Sequence, residues 1–279
     1  MITPGTARRA ARFATETNLY IALGAATYAA STTWYADGTV HTTYPALVGC
    51  ATLFTYNAQR LLGDLDRVLA FRYWKIACMA AGLCGAVVLA RHIPTTVLLI
   101  LIAAGALALA YALPVVKMGG AWLSLRRLPF TKLPLVWGVW MVAGVLIPFA
   151  MQPPVSAFGG WLIAIHQGAL VASLALCFDL RDLEVDFPGQ LTVPQLLGWS
   201  GTLSLVQYIL LLGSAACAVA FLMGAYSMLH FATALASLGA VWVASKCVRP
   251  MRGPLYFEIA VDGALLLPLL PMLCTYAKS

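Results

Sequence analysis

Three aspartates in the run Asp179-Leu180-Arg181-Asp182-Leu183-Glu184-Val185-Asp186 stand at positions i, i+3 and i+7. On a helix turning about 100° per residue this spacing lines the three carboxylates along one face, with Arg181 and Glu184 off it. Such a stripe repels itself unless a cation lies among its members. Hard oxygen donors suit Mg²⁺, which proteins usually hold through one or two carboxylates together with substrate phosphates. The plainer reading is a solvated loop whose acids cap the helix that follows.

A second stretch, Tyr56-Asn57-Ala58-Gln59-Arg60-Leu61-Leu62-Gly63-Asp64-Leu65-Asp66-Arg67, places Asn57, Arg60 and Asp64 at the same i, i+3, i+7 spacing. An amide, a guanidinium and a carboxylate on one face can meet an anion, because an Arg fork matches phosphate oxygens. They equally allow an Arg60–Asp64 pair at i,i+4. A third group, Tyr111-Ala112-Leu113-Pro114-Val115-Val116-Lys117 followed by Arg126, Arg127 and Lys132, offers the cations a diphosphate requires. It is also what a cytoplasmic loop carries for topological reasons alone.

The elements that position these groups belong in a bilayer. Of 279 residues, 62% are hydrophobic and only 10% charged, against roughly a quarter charged in soluble domains, and the mean hydropathy is +0.87. Apolar runs near 17–35, 43–62, 73–91, 94–113, 132–151, 158–178, 200–222, 225–245 and 255–276 predict nine transmembrane helices, since backbone groups in hydrocarbon must be satisfied within the segment. Pro94, Pro114 and Gly253–Pro254 punctuate span ends, and Pro268 and Pro271 predict a kink in the ninth. The seven cysteines form no C-x-x-C pair, so neither a zinc site nor a disulfide framework is expected. His166 and His230 lack ligand spacing and read as packing residues.

The net charge of +7 follows topology rather than a nucleic-acid surface. With the N-terminus inside, Arg8, Arg9, Arg12, Arg60, Arg67, Arg72, Lys75, Lys117, Arg126, Arg127, Lys132, Arg181, Lys246, Arg249 and Arg252 all fall on the cytoplasmic side. Arg91 and Lys278 fall outside. This bias sets the orientation and puts all three candidate groups at the cytoplasmic face. The reading is an all-α polytopic membrane bundle forming one domain over 1–279, with the lipid bilayer as its solvent.

These residues resemble the UbiA superfamily of intramembrane prenyltransferases. Asp179-x-x-Asp182-x-x-x-Asp186 fits the second acidic motif of that family, and Gly189-Gln190-Leu191-Thr192-Val193-Pro194 continues it similarly. Tyr111-x-x-Pro114-x-x-Lys117 looks like the tyrosine–lysine segment after the fourth span. The first motif, Asn-Asp-x-x-Asp-x-x-x-Asp, departs: with Asn57 matched, its acidic positions fall on Ala58, Leu61 and Leu65, and Asp64 or Asp66 fits only by a shift.

The resemblance implies a UbiA-like fold that binds an isoprenoid diphosphate between two helix ends. Mg²⁺ on Asp179, Asp182 and Asp186, with Asp64 from span 2, would help ionise it. Asn57, Arg60, Arg67, Lys117, Arg126 and Arg127 would hold the diphosphate, Arg60 or Arg67 replacing the lost metal ligands. Tyr111 would face the allylic cation, which a hydrophobic acceptor then captures. Two further outcomes are compatible: a terpene cyclase, in which the substrate's own double bonds capture the cation, and a non-catalytic isoprenoid- or lipid-binding protein. The topology has a direct check. Single cysteines at Ser156 and Ser124 in a cysteine-free background should react with impermeant reagents from opposite faces; labelling of both from one face contradicts it.

Overall fold

The computed structural model describes residues 4–63, 71–118, 120–187, 189–248 and 255–277. An amphipathic helix α1 (Pro4–Glu16) precedes α2 (Leu19–Asp37), α3 (Thr43–Gly63), α4 (Arg72–Ala90) and α5 (Thr95–Ala112). A small antiparallel hairpin, β1 (Pro114–Met118) and β2 (Ala121–Ser124), then leads through a 3₁₀ turn at Leu125–Arg127 to α6 (Lys132–Met151). The chain closes with α7 (Ala157–Asp182), α8 (Val193–Leu222), α9 (Met228–Cys247) and α10 (Tyr256–Tyr276).

Among the described residues, α4 to α10 are the seven helices long and apolar enough to cross a membrane. The first two expected spans are present as α2 and α3, of similar length, but both are richer in hydroxyl and amide side chains. For α2 the reason is its place inside the bundle, where residues from Thr27 to Tyr35 are almost continuously buried against protein rather than lipid. The central helix is α7, 67% of whose most apolar stretch is buried, whereas in α4 and α5 only 11% is. Lipid-facing Leu83, Val87, Leu99 and Ile102 account for that difference. All seven cysteines are free.

Polar contacts join the buried helices where apolar burial gives little drive, lipid tails being as apolar as leucine. Gln167 of α7 donates to Ser31 Oγ (2.9 Å) and Thr32 Oγ1 (3.1 Å) of α2, and the Tyr28 hydroxyl donates to the Gln167 carbonyl at 3.1 Å. Helix α6 widens into a π-turn at Val142–Leu146. Two of its carbonyls accept from other helices, Ala143 from Tyr44 (2.6 Å) and Gly144 from Thr32 (2.6 Å). The irregular turn is thus satisfied by α2 and α3, which membrane burial demands.

The later spans are less regular than their apolar runs. Between Val193 and the eighth-helix span, Gly198 takes φ +68°, a left-handed conformation open to glycine, and separates a short capped segment from the membrane-length rod. The irregularity expected at the prolines of the ninth span begins before them. Helix α10 runs as a π-segment (Tyr256–Val261), a 3₁₀ segment (Asp262–Leu266) and an α-segment (Leu269–Tyr276) capped by Pro268. Ser124 is buried, so the exposed Trp122 is the better labelling position on that hairpin.

A Cβ on Gly144 would collide with the Tyr28 ring, while one on Gly105 meets nothing within 4 Å. Gly144→Ala should therefore destabilise the protein by about 1–3 kcal/mol through overpacking. Gly105→Ala should leave it unchanged or gain up to about 1 kcal/mol from helix propensity. Thermal unfolding of the detergent-solubilised variants measures both.

Candidate active site

A cavity of about 400 Å³ opens between α2, α3, α5, α6, α7 and α10. Its walls are polar or charged at one end and mostly apolar at the other. A polar or charged residue stands at the mouth: Arg60 on α3, Tyr111 on α5, Lys132 on α6, Asp179 and Asp182 on α7, Glu258 on α10. Most deeper positions are apolar, among them Leu107, Val136, Val139, Trp140, Val171 and Leu174. The shape suits an amphiphile with a charged head and a hydrocarbon tail.

The three aspartates converge, though not as a continuous helical stripe. Helix α7 ends at Asp182, and a turn closed by Asp186 N–H donating to the Asp182 carbonyl (2.8 Å) returns Asp186 to the others. The residue after it, Phe187, precedes Pro188 and so disfavours helical continuation. All three carboxylates meet one ammonium: Lys132 Nζ lies 3.1 Å from Asp179, 3.2 Å from Asp182 and 2.8 Å from Asp186. Arg181 adds a 2.7 Å bond to Asp182 and lies over the Phe178 and Phe257 rings.

Among the described residues, no three His, Cys, Asp or Glu side chains surround a metal-sized point; the centre of the aspartate group is held by Lys132. The donor set nevertheless fits a hard divalent ion. Asp179 Oδ2 is buried without a hydrogen-bond partner, and the group already gathers three carboxylates around one cation.

The other expected residues divide. Asp64 and Arg67, and with them the Arg60–Asp64 pair, lie outside the described residues; Arg60 pairs with Glu258 of α10 at 3.4 Å. Arg60, Tyr111 and Arg126 line the cavity. Asn57 departs from its expected role at the diphosphate. It is fully buried, donates to the Thr17 and Leu53 carbonyls (3.0 and 2.8 Å), and accepts from Asn18 (2.9 Å). Its amide is spent on fixing the α1–α2 corner, where Asn18 adopts φ +60°, a conformation asparagine tolerates. Lys117, on β1, and Arg127, in the 3₁₀ turn, are exposed and do not line the cavity.

Sequence reasoning placed Lys132 in a basic loop group and missed it as the shared partner of the aspartates, because α6 and α7 meet only in the fold. It also passed over Glu258 and Asp262. Their signal was present: two acids at i, i+4 in an otherwise uncharged 255–276, where an ionisable intramembrane residue marks function by default.

The structure is similar to the apo structure of a UbiA homolog from Aeropyrum pernix K1. The TM-score is 0.62 at 15% identity, over 90% of this chain and 98% of that one. No protein-family model and no curated protein sequence matches the chain. The likeness establishes the UbiA fold for this membrane bundle.

Removing Lys132 strands the aspartates that share it. Lys132→Ala should cost about 3–5 kcal/mol, the usual penalty for breaking a buried ion pair. If the carboxylates accept a divalent ion, added Mg²⁺ should restore much of that loss in the variant while shifting the wild type less. Unfolding curves with Mg²⁺ and with a chelator test this; no recovery shows that the group requires the ammonium itself.

Proposed function

We propose that this protein is an intramembrane enzyme that ionises an isoprenoid diphosphate with Mg²⁺ and transfers the prenyl group to a hydrophobic acceptor. The observation that carries the reading is the cavity, with charges of both signs at its mouth and apolar walls beneath. The UbiA fold agrees with it, and the Lys and Arg distribution supports a mouth on the cytoplasmic side.

The charges favour a metal-accompanied anion. Arg60, Arg126, Lys132 and Arg181 face Asp179, Asp182, Glu258 and Asp262 around the cavity, basic and acidic side chains in equal number. A diphosphate entering alone would upset that balance, so the anion is best accommodated with its own counter-ion. Asp179, Asp182 and Asp186 would hold Mg²⁺, which when bound supplies charge neutralisation at the departing diphosphate.

The chain's own groups do the rest. Arg60, Arg126 and Lys132 present cations to the phosphate oxygens, and Glu258 keeps the Arg60 fork at the mouth. Tyr111, Tyr56 and Trp140 line the cavity, where ring faces can stabilise an allylic cation. Val136, Val139, Val171 and Leu174 keep water from that cation.

Purified protein incubated with radiolabelled geranyl, farnesyl and geranylgeranyl diphosphates should release diphosphate only with Mg²⁺. Asp182→Ala should lower that release by on the order of a hundredfold or more while the protein stays folded, since Lys132 keeps two aspartate partners. Cyclised hydrocarbon as the sole product would assign a terpene cyclase. Binding without diphosphate release would assign a non-catalytic isoprenoid-binding protein and overturn the proposal.

A further inference from the structure

One turn inward from the charged mouth, the cavity walls become uncharged on four helices. Four residues deeper than Asp179, Lys132, Arg60 and Tyr111 stand Ala175, Val136, Tyr56 and Leu107, all lining the cavity. On α10 the same step from Glu258 leads to Asp262. It is the one charged side chain at that level among the described residues.

Asp262 is half-buried and makes no hydrogen bond or ion pair among the described residues. Its neighbours are known. Glu258, Arg181 and Arg60 act on its carboxylate from the mouth side, and Tyr20 and Tyr56 sense its charge from α2 and α3. The Tyr20 hydroxyl donates to the Ile259 carbonyl at 3.2 Å and sits where a Cβ on Gly263 would lie within 3.0 Å. Asp262 opens the 3₁₀ segment directly after the π-turn at Tyr256–Val261. This change of helical pitch is a frequent mark of functional sites. A carboxylate near hydrocarbon is costly to keep without a partner, and the Arg60 fork already bonds Glu258.

Resting on the proposed prenyl transfer, we infer that Asp262 is the base that takes the proton lost after the cation is captured. An amphiphile with its diphosphate at the mouth and its tail against Val139 and Trp140 places its reacting carbon at the head–tail boundary, the level of Asp262. The C–O bond to the diphosphate breaks and its electron pair leaves with the diphosphate. An electron pair of the acceptor, or of the substrate's own double bond, forms the new bond to carbon. The cationic adduct then loses a proton to an Asp262 oxygen, from the capturing atom of an acceptor or, after capture by a double bond, from a carbon next to the new cationic carbon, and the bonding pair stays on the product. The protonated carboxyl returns the proton to water through the mouth.

Membranes containing the full-length chain, incubated with Mg²⁺ and radiolabelled geranylgeranyl diphosphate, test this. Wild type should convert label into prenylated or cyclised product. Asp262→Asn should keep diphosphate release within about threefold but divert the label to prenyl alcohol by water capture. The ratio of product to alcohol should fall by on the order of a hundredfold, within the usual range for a general base, and Asp262→Glu should recover part of it. An unchanged ratio, with or without a lowered melting temperature, overturns the inference and makes Asp262 a counter-charge for Arg60 and Arg181. Parallel loss of release and product also overturns it.

A second measurement does not need turnover. Dicyclohexylcarbodiimide should modify Asp262 in the purified protein, and geranylgeranyl diphosphate should protect it, as read by mass spectrometry. Absence of protection overturns the placement. Protection and turnover with an unaltered product ratio sink only the base role. A wild type that neither releases diphosphate nor shows protection sinks the prenyl-transfer reading as well.

Discussion

Three carboxylates at the end of a membrane helix need a counter-charge close by, and here a single ammonium supplies it. Lys132 opens α6 and reaches Asp179, Asp182 and Asp186 within 3.2 Å. The interaction fixes the mouth end of α6 against that of α7 and thereby sets the width of the cavity between them. It also decides how the turn after α7 folds, since Asp186 comes back to the lysine although the helix has ended. The cost of an unpaired buried charge makes this one arrangement that the surrounding loops must accommodate.

The same requirement, applied to uncharged polar groups, organises the buried part of the bundle. Gln167, Ser31 and Thr32 satisfy one another between α7 and α2, while Thr32 and Tyr44 accept the geometry of the π-turn in α6 by donating to its carbonyls. A glycine at 144 lets the Tyr28 ring lie against that turn. The widened turn lies directly after Trp140, which lines the deep end of the main cavity and a smaller one beyond it. Backbone irregularity, hydroxyl placement and cavity shape are thus one structural solution.

The side of the cavity made by α3 and α10 works differently from the aspartate side. Among the described residues, α3 presents Arg60 on this side, and the acids come from α10 as Glu258 and Asp262. The Arg60–Glu258 pair is partly exposed, with 38% and 19% of its side chains accessible, so a modest rather than large stabilisation is expected from it. Its greater effect is to orient a guanidinium toward the mouth. Asp262, one turn deeper, brings a carboxyl group to a level where the walls on α3, α5, α6 and α7 are uncharged.

The amino-acid sequence by itself determined the solvent and the helices, and it gathered most of the charges at one end of them. These follow from the length of apolar runs, the backbone's need for internal hydrogen bonds, and the crowding of Lys and Arg into alternate loops. It also marked Asp179, Asp182 and Asp186 as one group, because their spacing is local. It could not show that the Asn57 amide, whose type suits a ligand, is bonded to Asn18 and Thr17, nor pair Arg60 with a residue 198 positions away. Only the tertiary structure decided that Lys132 joins the aspartates and that α10 supplies the opposite wall. Charge pairing between helices depends on which faces meet, and helical periodicity describes each face without saying what lies across from it.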